Sequence, residues 1–134
     1  MSNATNAERA GSARTLFALF AMLEETPSKD RRHRWQLLEA AHVIGQGQFV
    51  PHLQTHALML REALRQRNAG EAVGQLFRLA LVPLGHLTGR LPIGNIGRAT
   101  VSAFRPMAVT PATAELIARA SRRADAERHG TARP

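Results

Sequence analysis

The sequence predicts an all-α protein, a single-domain helical bundle of about five helices with an ordered Gly/Pro-rich loop before the last helix. Three observations support this fold class. Apolar residues recur every three or four positions, which is the spacing of one helix face. Hydrophobic residues make up 44% of the chain but aromatic residues only 4%, so the core must be rich in the helix formers Leu and Ala. The length of 134 residues is that of one domain.

The first two predicted helices are separated by a break at Thr26–Asp30. The first helix runs from Ala13 to Glu25, and its apolar residues are Leu16, Phe17, Leu19, Phe20 and Leu23. The second runs from about Lys29 to Ile44, and Ser28 is expected to cap it. Glycines in residues 45–48 end it, because glycine accepts the left-handed conformation found at helix ends.

Proline and capping residues delimit the other three helices. Pro51 suits the first turn of a helix that runs to about Arg67, and Asn68 with Glu71 can cap the next. That fourth helix extends from Ala69 to about Leu87, with a kink or an early stop expected at Pro83. Residues 89–107 form the loop, and Thr110-Pro111 opens the last helix, which ends near Glu127. We expect a flexible N-terminus (1–12), a helical domain (13–127) and a flexible tail (128–134).

Composition excludes several classes of protein. The chain has no cysteine, which rules out disulfides and thiolate metal sites. Its net charge of +8 comes almost entirely from arginines that are scattered along the chain, and the chain has no tyrosine and one tryptophan to stack on bases, so we do not expect a nucleic-acid partner. The apolar run Leu16–Leu23 is shorter than the roughly 20 residues that span a bilayer. We therefore expect a cytoplasmic protein without a membrane partner.

Polar residues concentrate on the second and third helices. Glu39 and His42 are three residues apart, and His52 and His56 are four apart, so each pair shares a helix face. The joining loop is short, which favours antiparallel neighbours. If the two faces oppose each other, Glu39, His42, His52 and His56 can bind a divalent transition metal such as iron, copper or zinc. A second Glu-x-x-His is missing, so a di-iron carboxylate site is not predicted.

Four ordered blocks resemble one known family. They are LLEAAHVIGQ, His52-x3-His56-x2-Met59-Leu60, VGQLFRLA and LPIGNIGRATVSAFRPM, which together cover about residues 35–117. This pattern is similar to that of the family called domain of unknown function 3703. Ala40, Ile96 and Arg98 depart from its usual residues. The resemblance implies no function, but it identifies the polar residues of the motif, which are Glu39, His42, Gln46, His52, His56, Gln75, Arg78 and Asn95.

Three functions remain open from the sequence. The first is a small metal-binding protein, which could be a metal-dependent enzyme acting on a small-molecule substrate, with Gln46, Gln75, Arg78 or Asn95 orienting that substrate. The second is a metal-free enzyme with a histidine general base. The third is a helical adaptor for a protein partner, and a homodimer through the first helix is equally open. The histidines could also form a purely structural hydrogen-bonded cluster, whereas His33 and His86 are interpreted as exposed or helix-end residues.

Overall fold

The computed structural model describes residues 5–130, and within them it contains five α-helices and no β-strand. The helices are α1 (Asn6–Glu25), α2 (Arg31–Gly45), α3 (Phe49–Arg65), α4 (Ala69–Thr88) and α5 (Pro111–Gly130). The predicted all-α bundle, with a loop before the last helix, is confirmed. No helix of this part of the chain has the length and apolar character needed to cross a bilayer.

Helix α2 is the central helix of the bundle. It packs against α1 and α5 on one side and α3 on the other, while α4 packs against α3. The core is aliphatic, as the composition predicts, and its most buried large side chains include Leu19, Leu37, Leu38 and Met59. Leu16 of α1 also lies in this core, whereas Phe17 remains 72% exposed. The apolar face of α1 is therefore mostly used within the monomer.

Capping explains where two helices differ from the sequence prediction. Helix α1 begins at Asn6 rather than Ala13, because Thr5 and Glu8 form a reciprocal capping box. Helix α2 is capped by Asp30, which accepts from the amide of His33, and not by Ser28. At the other end, α5 continues to Gly130, beyond the predicted end at Glu127.

Helix α4 runs through Pro83 without the early stop that proline allowed. Asn68 caps its N-terminus by accepting from the amide of Glu71, as predicted. The helix ends at Thr88 and is capped by Gly89, whose φ of 68° is the left-handed conformation that favours glycine. The loop that follows is folded by its own turns and by the side-chain bonds of Asn95, and it hydrogen-bonds to side chains of α2 and α4.

A buried ion-pair network joins α1, α2 and α3. Arg34 donates from Nε to both carboxylate oxygens of Glu62 at 3.1 Å, and from Nη1 to the Leu23 and Thr26 carbonyls at 2.7 Å. Gln66 also donates to Glu62, at 2.6 Å. Arg34 thus adds a donor to two carbonyls at the C-terminal end of α1, where partners within the helix run out. This network explains why an arginine and a glutamate lie inside the bundle.

Candidate metal centre

Three histidines converge on one point between α2 and α3. The Nε2 atoms of His42, His52 and His56 form a triangle with sides of 3.1, 3.1 and 3.2 Å. All three side chains are buried, and together they form a group that could hold a metal ion. Zinc–nitrogen bonds of about 2.0–2.1 Å place ligand atoms about 3.3 Å apart in a tetrahedron and about 2.9 Å apart in an octahedron. The observed spacing lies between these two geometries.

Hydrogen bonds on the outer side fix the tautomers of two of these rings. His42 donates from Nδ1 to the carbonyl oxygen of Asn95 at 2.6 Å. His56 donates from Nδ1 to Gln75 Oε1 at 2.7 Å, and the Gln75 amide is itself oriented by donating to Glu71 and to the Gly97 carbonyl. When neutral, both rings therefore present an Nε2 lone pair to the centre. An outer partner of this kind is usual for metal-binding histidines.

The environment keeps these imidazoles uncharged. Burial, reinforced by the neighbouring histidines, lowers the pKa of His42 well below its usual range and the pKa of His52 to about 3. Burial also lowers the pKa of His56 to about 4, although its bond to Gln75 acts in the opposite direction. Neutral imidazole is the metal-binding form. The three rings are thus in the correct protonation state for coordination near neutral pH.

A fourth histidine contacts the centre from α4. His86 Nε2 lies 3.1 Å from His52 Nδ1, and the ring is half-buried. His86 lies in the last turn of α4, which fits its interpretation as a helix-end residue, but its contact with His52 was not predicted. Sequence periodicity could have found it, since Gln75, Arg78, Val82 and His86 recur at steps of three and four along α4.

Glu39 does not join the three histidines. Its carboxylate lies 3.2 Å from Arg98 Nη1, and Arg98 Nε lies 3.2 Å from the buried carboxylate of Glu71. The Arg98 guanidinium also stacks on the Trp35 ring, 3.9 Å from its centre. Burial raises the pKa of Glu39, and the charge of Arg98 opposes that shift. The structure thus brings together three of the four predicted ligands and directs the carboxylate to an arginine of the loop.

Gln46 and Asn95 hold the loop in place beside the histidines. The Asn95 side chain donates to the Ser102 and Arg105 carbonyls at 2.8 Å and accepts from the amide of Gly97 at 2.9 Å. With its amide oriented to satisfy both polar atoms, Gln46 donates to the Pro92 carbonyl and accepts from the Gly94 amide. Both side chains are buried, and their polar atoms are hydrogen-bonded to the backbone of the loop.

A cavity of about 270 Å³ adjoins the three histidines. Its walls come from α4 and the loop and are mostly apolar, with Leu81, Val82, Leu91, Pro92 and Phe104 among them. Arg78 also lines it, and its guanidinium donates to the Val101 carbonyl of the loop. Of the four polar candidates outside the ligand set, Gln75 therefore orients a histidine, Arg78 faces the cavity, and Gln46 and Asn95 organise the loop.

Comparisons with known proteins identify the family. Searches of curated proteins and of solved structures gave no match. The model of the family described as "Protein of unknown function (DUF3703)" matches residues 14–117, which include all five helices at least in part and every residue of the histidine centre. The chain belongs to this family of proteins of unknown function.

Proposed function

We propose that this protein binds one divalent transition metal ion through the Nε2 atoms of His42, His52 and His56, and that it is a metal-dependent enzyme. The observation that carries the proposal is the triangle of Nε2 atoms with sides of 3.1–3.2 Å. At this spacing the fixed lone pairs of His42 and His56 face each other without a proton between them. Only His52 can bring a proton to the centre, and one N–H cannot bond well to both neighbours. A cation at the centre would relieve the repulsion between these lone pairs.

The choice of ligands defines the chemistry that the metal would supply. Three neutral imidazoles leave the full charge of a divalent ion, which favours a strongly acidic bound water or a polarised substrate oxygen. Iron, copper and zinc all accept imidazole ligands, so the ligand set alone does not select one of them. Three protein ligands leave open positions on the metal, and the adjoining cavity offers space for a substrate. That cavity favours a small-molecule site over a protein adaptor.

Elemental analysis of the untagged protein tests metal binding. We expect near-stoichiometric iron, copper or zinc in the wild-type protein and its loss in the His52→Ala/His56→Ala double variant, because two of three ligands are removed. His33→Ala is the matched control, since it lies on α2 outside the centre, and it should retain the metal. A wild-type protein that stays metal-free after incubation with each ion under reducing conditions would contradict the proposal.

Gln75 offers a second test, in which all three ligands stay in place. Gln75→Leu removes the acceptor for His56 Nδ1–H, and such outer-partner losses weaken metal binding by about 10- to 100-fold. Competition with a chromogenic zinc chelator measures the affinity. Gln54→Leu, an exposed position on α3, is the matched control and should bind zinc like the wild type. Equal affinities in the two variants would argue that the Gln75 bond serves the fold alone.

The contact between His52 and His86 favours one second candidate, a metal-free enzyme in which His52 is the general base. The 3.1 Å contact connects the buried centre to a half-exposed imidazole, which gives protons a route to solvent. This candidate lacks an orienting carboxylate, because Glu39 is paired with Arg98. If this second candidate is correct, the protein stays active after exhaustive chelation of metal ions. If the metal-dependent function is correct, chelation abolishes the activity.

A further inference from the structure

Arg78 is a buried arginine that forms no ion pair with another described residue. Its side chain lines the cavity and is only 7% exposed as a residue, yet it makes no ion pair within 4 Å in residues 5–130. Its partners are the carbonyl oxygens of Gly74 and Val101, which use two of the five guanidinium donors. Buried charges are normally paired. A buried arginine that faces a cavity without a carboxylate is therefore placed to bind an anion.

The neighbouring carboxylates are bonded to a different arginine. Glu71 acts electrostatically on Arg78 but forms its ion pair with Arg98, which also pairs with Glu39. Arg78 is also close enough to act electrostatically on His42 and His56. A divalent ion held by three neutral imidazoles would raise the local charge further. In an apolar cavity such charges interact strongly with an anionic ligand, because little water screens them.

The cavity walls determine the kind of anion. A planar guanidinium matches the two oxygens of a carboxylate, which it binds through parallel hydrogen bonds. A phosphate dianion needs more donors, and the lining is largely hydrocarbon, from residues such as Leu81, Val82 and Leu91, while Thr88 and Arg90 lie at exposed positions. The volume of about 270 Å³ admits only a small molecule. The cavity therefore suits a ligand with a single anionic head and an apolar body.

We propose that the cavity binds a small monocarboxylic acid, with its carboxylate on Arg78 and its hydrocarbon body against the walls from α4 and the loop. The acid would be the substrate, or part of the substrate, of the metal centre. This role rests on the proposed metal-dependent function. The binding of the acid by Arg78 does not, because the arginine and the apolar walls are present without a metal.

Calorimetric titration with matched probes tests the proposal, on both the metal-free and the zinc-treated full chain. Hexanoate supplies both features, hexanol lacks the charge, acetate lacks the apolar body, and inorganic phosphate lacks both the carboxylate and the body. We expect hexanoate to bind at least tenfold more tightly than the other three. Hexanoate binding no tighter than hexanol binding to the wild-type protein overturns the proposal.

Variants separate the two halves of the ligand. Arg78→Met should lower hexanoate affinity to the level of hexanol, whereas Arg119→Met, an exposed arginine of α5, should leave it unchanged. Val82→Phe should weaken both probes, because the added ring fills the cavity. Since Arg78 also binds the loop, Trp35 fluorescence and thermal unfolding check that Arg78→Met is folded. If Arg78→Met is not folded, the proposal is tested by the wild-type comparison of hexanoate with hexanol and by Val82→Phe. Unchanged hexanoate affinity in Val82→Phe overturns the assignment of the acid to this cavity.

The outcomes distinguish this proposal from the metal proposal. Binding of hexanoate through Arg78 without any uptake of metal would support the acid site and contradict the metal proposal. Binding of zinc through the histidines without a preference for hexanoate over hexanol would support the metal proposal and contradict the acid site.

Discussion

Replacing Glu62 with leucine is expected to lower the free energy of unfolding by about 3–5 kcal/mol, because the Arg34 guanidinium is then buried without its counter-charge. Although burial acts to raise the pKa of Glu62, hydrogen bonds from Arg65, Gln66 and Arg34 lower it overall. The carboxylate is therefore charged near neutral pH, and Arg34 is held by it. Urea denaturation followed by circular dichroism measures the change.

Two controls show whether the buried charge is the cause. The Arg34→Met/Glu62→Leu double variant should recover part of the lost stability, because both charges leave together. Glu115→Leu breaks an exposed pair with Arg122 and should have a far smaller effect, since water already screens that pair. If Glu62→Leu costs no more than Glu115→Leu, the buried pair does not stabilise the fold.

Gly97→Ala is expected to disrupt the metal centre without altering any ligand. Gly97 has a φ of +79°, and an alanine in the left-handed region costs about 1–2 kcal/mol. A Cβ there would also lie 2.7 Å from the Cγ and Cδ2 atoms of the His42 ring, which must then move. Because that ring carries one corner of the Nε2 triangle, we expect zinc affinity to fall at least tenfold.

The control for this substitution is Gly47→Ala, where an added Cβ meets no atom within 4 Å and φ is not in the left-handed region. Chelator competition gives the zinc affinity of both variants, and thermal unfolding gives their stability. Gly97→Ala should fall in both measurements, and Gly47→Ala should match the wild type in both. Wild-type zinc affinity in Gly97→Ala would mean that the loop does not constrain His42.

Local pattern was sufficient to predict the helices and the histidine pairs. Trp35, Leu38 and Ala41 are spaced three residues apart along α2, and all three are buried. His52 and His56 share a face because they are four residues apart, and the short loop after α2 turns that face toward His42. These features depend on neighbours in sequence, which periodicity describes directly.

Long-range partners could not be predicted in this way. Glu39 shares a face with His42, but the arginine that binds it lies 59 residues away in a loop without periodicity. Glu71 was expected only as a capping residue, yet its carboxylate accepts from Gln75 and from the amide of Ala99. The fold of the loop determines the loop partners of both Glu39 and Glu71. The contacts of Asn95 are closer in sequence, since its side chain bonds to the backbone of Gly97 and Ser102.

The central position of α2 divides the molecule between stability and chemistry. Its α1/α5 side contributes core packing and the Arg34 hydrogen bonds to the end of α1, whereas its α3 side carries His42 toward the other two histidines. Substitutions in the α1–α5 layer can therefore change heat tolerance while the coordination sphere stays constant. An engineer could raise the thermostability of this protein on that layer and select for new reactivity on the other. The same separation would let the two properties evolve independently.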